Sequence, residues 1–111
     1  MEIYIKQLHH KYQVKQSNKN MRKVYNVQLK MAKLNDVKNK PAEDQIKEAW
    51  DLTDTLVNFI KEVLGLKGKY ADMIDDQETP ETSEIASYIC QRIMGLTDKQ
   101  IEEGAKEDPK K

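Results

Sequence analysis

The residues with the clearest chemical potential are one histidine pair, His9-His10, and one cysteine, Cys90. Adjacent strand residues point to opposite faces, so His9 and His10 are poorly placed to chelate one metal ion. A solvated turn is the favoured interpretation. Cys90 has no histidine near it in sequence and falls on a helical apolar stripe, which favours a small buried hydrophobic residue over a nucleophile.

A second candidate is the acidic cluster Asp72, Asp75, Asp76 and Glu78, which invites comparison with a calcium-binding loop. The spacing lacks the central glycine and the twelfth-position glutamate of an EF-hand loop, so a solvated acidic helix end is favoured. The four glycines are spread along the chain and make no phosphate-binding loop. The sequence therefore predicts a protein that is not an enzyme and that has no cofactor and no metal.

The composition sets the size of the fold. The chain has 111 residues, of which 38% are apolar and 34% charged, enough for one domain with a lean core. Help from a partner or from oligomerisation is consistent with that core. No apolar run approaches the length of a membrane helix, and the first residues lack a signal-peptide core. These features predict a soluble, intracellular protein without a membrane contact.

The zero net charge hides an imbalance between the two halves. Residues 1–40 hold ten Lys/Arg and two acids, a balance of +8, and residues 41–111 hold nine Lys/Arg and seventeen acids, a balance of −8. The favoured interpretation is that the halves fold against each other. The alternative is a small nucleic-acid-associated regulatory protein that uses the basic N-terminal half. The basic helix predicted there carries no recognisable base-reading pattern, so nucleic-acid binding is the less favoured hypothesis.

Alternating residues in 2–15 predict a β-hairpin with its turn near His9 to Lys11. A basic helix at about 19–35 follows, with Ser17 or Asn18 as its cap. Its predicted inner stripe contains Met21, Val24, Tyr25, Gln28, Met31 and Ala32.

The clearest helical period runs over about 42–64 and begins after Pro41. Trp50 is its largest predicted anchor. Gly65 ends this helix, and Gly95 ends a later one; each is followed by a leucine, Leu66 or Leu96, which is placed to complete a Schellman-type cap.

Three further elements complete the predicted chain. Tyr70, Met73 and Ile74 mark a short amphipathic helix. Thr79 caps, and Pro80 starts, a third main helix. Thr97 to Gln100 matches a capping box that opens a last helix at about 98–104. The predicted fold is mainly α, with an N-terminal β-hairpin, about three main helices and one or two short ones. Residues 1–104 form one domain and 105–111 a disordered charged tail.

Taken in order, the segments resemble a known family. A strand-like IYIKQL is followed by YNVQLKMAKL, then by EAWDLTDTLVNFIKEVLGL, and after an acidic linker by ETSEIASYICQRIMGL. This series resembles the tail assembly chaperones of long-tailed, siphovirus-type phages and prophages of Gram-positive bacteria, which are functional counterparts of the lambda G protein. The resemblance covers nearly the whole chain, although each segment is by itself an ordinary capped amphipathic helix.

The resemblance implies a non-enzymatic role in the host cell cytoplasm. Such proteins bind the tape measure protein, keep it soluble, promote tail tube assembly and are absent from the mature virion. The implied partners are the tape measure protein and the tail tube protein, the latter through a form extended by programmed frameshifting. The codons of Lys110-Lys111 are a candidate slippery run, and a solubilising tail is the equal alternative. The charge imbalance is a candidate basis for self-association into an oligomer or spiral.

The family pattern supplies no contact residues that transfer one by one. The expected partner-binding residues are therefore the apolar positions that the predicted core needs least. They are Tyr70, Met73 and Ile74 on the short segment, and Met94, Leu96 and Ile101 near the last helix.

Overall fold

The computed structural model describes residues 1–36 and 39–106, and side chains as far as residue 103. Two antiparallel strands, β1 (Glu2–Ile5) and β2 (His10–Gln13), precede five helices. The helices are α1 (Asn18–Asn35), α2 (Ala42–Leu64), α3 (Lys69–Asp75), α4 (Thr79–Ile93) and α5 (Asp98–Lys106). The mainly α class with an N-terminal hairpin, three long helices and two short ones is confirmed. The last helix continues through Lys106, two residues into the predicted tail; residues 107–111 lie outside the described residues.

The hairpin turns earlier than predicted. A 3₁₀ turn over Lys6–Leu8 follows β1, and His9 takes the left-handed conformation with φ of 51° before β2 begins. Ile3 pairs with Tyr12 across the two strands, and Ile3 and Ile5 are both buried. The predicted alternation is therefore correct for β1, because these two isoleucines give the hairpin the apolar face that it packs on the helices.

Capping residues in the sequence mark most of the helix ends. The Ser17 hydroxyl accepts a hydrogen bond from the Asn20 backbone N–H, as expected of a cap. The capping box is also confirmed: the Thr97 hydroxyl accepts from the Gln100 N–H, and the Gln100 side chain accepts from the Thr97 N–H. The prediction that Thr79 caps α4 is wrong. Thr79 is already helical, and Glu78 precedes it without a side-chain cap bond.

The two glycine caps share their backbone bonds but differ in their leucines. The Leu66 N–H donates to the Lys61 carbonyl at 2.9 Å, and the Leu96 N–H donates to the Gln91 carbonyl at 3.0 Å. Both are the six-to-one bond of a Schellman cap, and Gly65 is left-handed, with φ of 67°. The Leu66 side chain packs against the core, whereas Leu96 is 38% exposed. The same cap therefore leaves one leucine available at the surface.

The core lies where α2 meets α4, α1 and the hairpin, and branched aliphatic residues dominate it. Ile60, Ile85 and Ile89 are almost completely buried. Every buried residue of α2 lies in its C-terminal half, as the following list shows: Leu56, Phe59, Ile60, Val63 and Leu64. At 1.5 Å per residue, the 23 residues of α2 span about 34 Å and the 15 of α4 only about 22 Å. The helix α4 is therefore too short to cover the whole length of α2.

Two sequence predictions about the core are wrong, and the length difference accounts for the one on α2. Trp50, the predicted anchor of α2, is 68% exposed, and Ile46 one turn earlier is 65% exposed. On α1, Tyr25 is exposed although it was placed in the inner stripe, and Val27 is buried in its place, together with Val24. Helical periodicity gives the apolar side of each helix, but the position of the neighbouring helices decides how much of that side is covered.

The two oppositely charged halves meet along α1 and α2. Lys23 pairs with Glu62, and Lys30 pairs with Asp51. The hydrogen bond that Lys30 donates to Asp51 is the largest of the causes that raise the pKa of Lys30. These pairs agree with the interpretation that the halves fold against each other. They also occupy two of the cations on which the nucleic-acid alternative relied.

Ile60 and Ile46 offer a matched test of this core. Ile60→Ala removes a side chain with no exposed surface and is expected to lower the free energy of unfolding by about 2–5 kcal/mol. Ile46→Ala changes the same residue type on the same helix at an exposed site, so a change within about 0.5 kcal/mol is expected. Urea denaturation of dilute protein measures both values. Equal losses in the two variants would contradict the described packing.

Candidate protein-interaction surfaces

The short helix α3 presents two of the predicted contact residues and buries the third. Tyr70 and Met73 are exposed, while Ile74 is 1% exposed and belongs to the core. The premise that Ile74 is dispensable for the core is therefore wrong. A one-residue step rotates a helix by about 100°, so Met73 and Ile74 face in different directions. Tyr70 lies near the hairpin, where burial and, to a smaller extent, the Tyr70 phenol raise the pKa of Tyr12.

The end of α4 presents a second pair of predicted residues, Met94 and Leu96, both exposed. The Gln28 side chain of α1 donates a hydrogen bond to the Met94 sulfur at 3.4 Å. The Gln16 side chain donates to the Ile93 carbonyl at 3.3 Å, which ties this end of α4 to the start of α1. A flexible thioether and a leucine on an anchored helix end suit contact with apolar segments of varied shape.

Ile101, the last predicted residue, is partly buried on α5. It lines a groove of about 680 Å³ formed by β1, the following 3₁₀ turn, α4 and α5. Tyr4 and Tyr88 line the same groove. The predicted residues thus have different neighbours: α3 lies near β2, Met94 lies beside α1, and Ile101 faces this groove.

A polar cluster holds the start of α5 against α4. The Tyr88 hydroxyl donates to the Asp98 carboxylate, and Arg92 Nη1 donates to Asp98 Oδ1 at 2.6 Å. Arg92 Nη1 also lies 3.2 Å from the Tyr88 oxygen. The hydrogen bond from Tyr88, followed by that from Arg92, lowers the pKa of Asp98. We call Tyr88, Arg92 and Asp98 the α5 clasp, since they join the two helices beside the groove.

Two exposed apolar pairs on α1 and α2 were not predicted as surface. Tyr25 and Leu29 lie on α1, and Ile46 and Trp50 lie on α2. From the sequence, Tyr25 is predicted to lie in the inner stripe of α1, and Trp50 to anchor α2. For the two α2 residues the available signal is the predicted helix lengths, because a short α4 cannot cover the whole of a long α2. We call Tyr25 and Leu29 the α1 outer pair, and Ile46 and Trp50 the α2 outer pair.

The cysteine, the histidine pair and the acidic cluster have ordinary structural roles. Cys90 is buried, and desolvation raises the pKa of its thiol to about 11, so the thiolate nucleophile is disfavoured. His9 and His10 are exposed, and the His10 ring packs edge-on against Tyr12 at 4.7 Å. Asp75, from the acidic cluster, pairs with Lys61 at 2.9 Å. Among residues 1–36 and 39–106, no group of three or more His, Cys, Asp or Glu residues is arranged to hold a metal ion.

In the part of the chain that the structure describes, no helix combines the length and the apolar character needed to cross a bilayer.

Together, the lean core, the capped helices and the several exposed apolar pairs define a small helical interaction domain. The chain belongs to the phage tail assembly chaperone family: the family model described as "Phage tail assembly chaperone proteins, TAC" matches residues 1–109. This match confirms the resemblance to tail assembly chaperones seen in the order of the segments. It places the chain in a family of assembly chaperones that act on phage tails. No curated protein and no solved structure gives a significant match.

The α5 clasp predicts acid-sensitive docking of α5. Because the pKa of Asp98 is lowered in the folded state, its contribution is present above the ordinary aspartate pKa and is lost as pH falls through the lowered folded value. Asp98→Asn is expected to release α5 at neutral pH and to remove that pH dependence. NMR titration of the Asp98 carboxyl and of the Ile101 methyl groups measures both effects.

Glu103→Gln, at an exposed position on the same helix, is the matched control and should titrate like the parent chain. An Asp98 carboxyl that titrates at or above the ordinary aspartate pKa would contradict the described clasp.

Proposed function

We propose that this chain binds the tape measure protein during tail assembly, keeps it soluble and promotes assembly of the tail tube around it. The observation that supports the proposal most is the set of exposed apolar side chains on α3 and at the end of α4. These are Tyr70, Met73, Met94 and Leu96. A family of tail assembly chaperones needs a partner in the tail, and a long helical partner offers apolar stripes that such side chains are suited to cover.

The side-chain types at these positions favour adaptable binding. Met73 and Met94 carry unbranched, polarisable side chains that fit irregular apolar surfaces, and Tyr70 adds a large ring with a polar tip. Both helices are anchored to the core, α3 through Ile74 and α4 through Ile93. The adaptable contacts therefore stand on a fixed frame, which limits the entropy lost on binding. Ile101, on the clasped helix α5, is proposed as an additional contact at the groove.

Many copies along one tape measure protein would amplify a modest affinity at each site. Linked sites raise the effective concentration of each binding event, so weak individual contacts suffice for stable coverage. The proposed role is non-enzymatic, takes place in the host cell cytoplasm and ends before the virion is complete. Recruitment of the tail tube protein is proposed to require a longer form made by frameshifting near Lys110-Lys111, which lies outside the described residues.

Substitution of the two exposed methionines tests the tape measure contact. The double variant Met73→Gln, Met94→Gln is expected to lower the amount of soluble, co-eluting tape measure protein by roughly tenfold, the factor produced by a loss of about 1.4 kcal/mol in binding. Co-expression with the downstream tape measure gene, followed by size-exclusion chromatography, measures that amount.

The matched control is Met73→Leu, Met94→Leu, which keeps the apolar character at the same two sites and should retain the complex. Both pairs of changes lie at exposed positions, so neither is expected to unfold the chain. A tape measure protein that stays insoluble beside the parent chain and its frameshifted form would contradict the proposed function. Full co-elution with the glutamine variant would move the contact to another surface.

A further inference from the structure

The outer edge of β1 carries backbone groups that have no strand partner. The Val14 N–H donates to the Met1 carbonyl at 2.8 Å, which makes these two residues a hydrogen-bonded pair at the end of the hairpin ladder. Such pairs alternate along an antiparallel ladder, so the N–H and C=O groups of Glu2 and Tyr4 point away from β2. In the part of the chain that the structure describes, no third strand pairs with this edge.

The groove of about 680 Å³ lies along that edge. At one end, Arg92 Nη2 donates to the Glu2 carbonyl at 3.5 Å, so α4 stands on the side to which the outward groups point. At the other end, the Gln7 side chain donates to the Glu84 carboxylate at 3.4 Å. Tyr4 lies between these two bridges and lines the groove. The bridges therefore hold α4 alongside β1, in the opposite direction, with the groove between them.

The groove also offers apolar contacts beside the strand edge. Tyr4, Tyr88 and Ile101 line it, and the Tyr4 side chain is 47% exposed. Every second side chain of a strand points to the same face, so a segment paired with β1 places alternate side chains beside Tyr4. An aliphatic or β-branched side chain at those positions gains contact with the aromatic ring.

The charges of the groove favour a basic segment. Three carboxylates and one ammonium line it, and they belong to Glu84, Asp98, Glu102 and Lys6. The lining has a balance of −2, or −1 once the Arg92 partner of Asp98 is counted. Either balance is negative, so lysine or arginine side chains in the bound segment are attracted to this surface.

We propose that β1 binds an extended segment of a partner protein as a third strand, with apolar side chains against Tyr4 and Ile101 and basic side chains near Glu84. Backbone hydrogen bonds to Glu2 and Tyr4 supply affinity, and the alternating side chains supply preference. A helix bonds its own backbone groups internally, so it cannot satisfy the outward N–H and C=O groups of β1. The strand edge therefore selects an extended occupant over a helical one.

This strand edge is a different surface from the proposed tape measure contact. That contact uses exposed side chains on α3 and at the end of α4 and takes the apolar stripe of a helix, whereas β1 takes an extended chain. The two surfaces share only Ile101. Binding of a synthetic peptide to β1 requires no tape measure protein, so either proposal can fail while the other holds.

NMR with a synthetic peptide tests the proposed strand addition. The probe is the capped heptapeptide Thr-Val-Lys-Val-Lys-Val-Thr, in which valine alternates with lysine. Saturating peptide is expected to slow amide hydrogen exchange of the Tyr4 N–H by roughly tenfold or more, because that group gains a partner. The Ile3 N–H, which is already directed toward β2, is the internal control and should change less.

Two methylated peptides separate backbone pairing from the burial of side chains. One carries N-methyl groups on the valines and the other on the residues between them, so each peptide loses the N–H groups of one edge. One is expected to bind like the parent peptide and the other at least about tenfold more weakly. Methylated peptides that bind equally well, or equally poorly, would overturn strand addition.

Substitution of Tyr4 tests the place of binding. Tyr4→Thr keeps a residue suited to a strand and removes the ring, so peptide binding is expected to weaken by about tenfold. Tyr25→Thr makes the same change at an exposed tyrosine on α1, outside the groove, and should bind like the parent chain. Glu84→Lys is expected to weaken binding and to reduce its salt dependence. Retained methyl shifts of Ile3 and Ile5 show that the hairpin is intact in each variant.

Three results would overturn the proposal. Exchange of the Tyr4 N–H that stays unchanged at peptide concentrations up to about 1 mM shows that the edge accepts no strand. Peptide binding that Tyr4→Thr leaves at the parent affinity uses another surface. Binding that Glu84→Lys strengthens contradicts the preference for a basic segment.

Discussion

The packing of α4 across one half of α2 is the interaction on which the rest of the structure depends. Ile60 on α2 and Ile85 and Ile89 on α4 are removed from water almost completely, and this burial supplies the main driving force of a chain with few apolar residues. Because α4 is eight residues shorter than α2 (15 against 23), the same contact leaves the first half of α2 uncovered by α4. The packing of α4 on α2 therefore explains both the buried core and the exposed apolar residues in the first half of α2.

That geometry separates two kinds of surface. Near the core, α3 and the end of α4 carry exposed methionines on anchored backbone, and we propose these residues as contacts for the tape measure partner. Farther along the α1–α2 pair, the α1 outer pair and the α2 outer pair carry apolar side chains that are exposed. The charge imbalance between the two halves of the sequence serves contacts within the chain, through Lys23 and Lys30.

The sequence predicts what local chemistry determines. The Ser17 cap, the Thr97–Gln100 capping box and the Gly65 and Gly95 caps each depend on a few neighbouring residues, so the helix bounds agree closely with the structure. The burial of particular residues depends on distant packing. Trp50 and Ile46 continue the apolar period of α2, and no local signal shows that α4 ends before reaching them. Met73 and Ile74 are adjacent on the short helix α3, so the rotation of that helix about its axis decides which of the two side chains enters the core.

The number of copies on one tape measure protein tests the central claim most directly. Light scattering coupled to size-exclusion chromatography gives the mass of the co-purified complex, and the known masses of the two chains give the ratio. The account predicts several copies for each tape measure protein, because linked weak sites along one partner together give stable coverage. A complex that holds a single copy, at saturating chaperone, would contradict it.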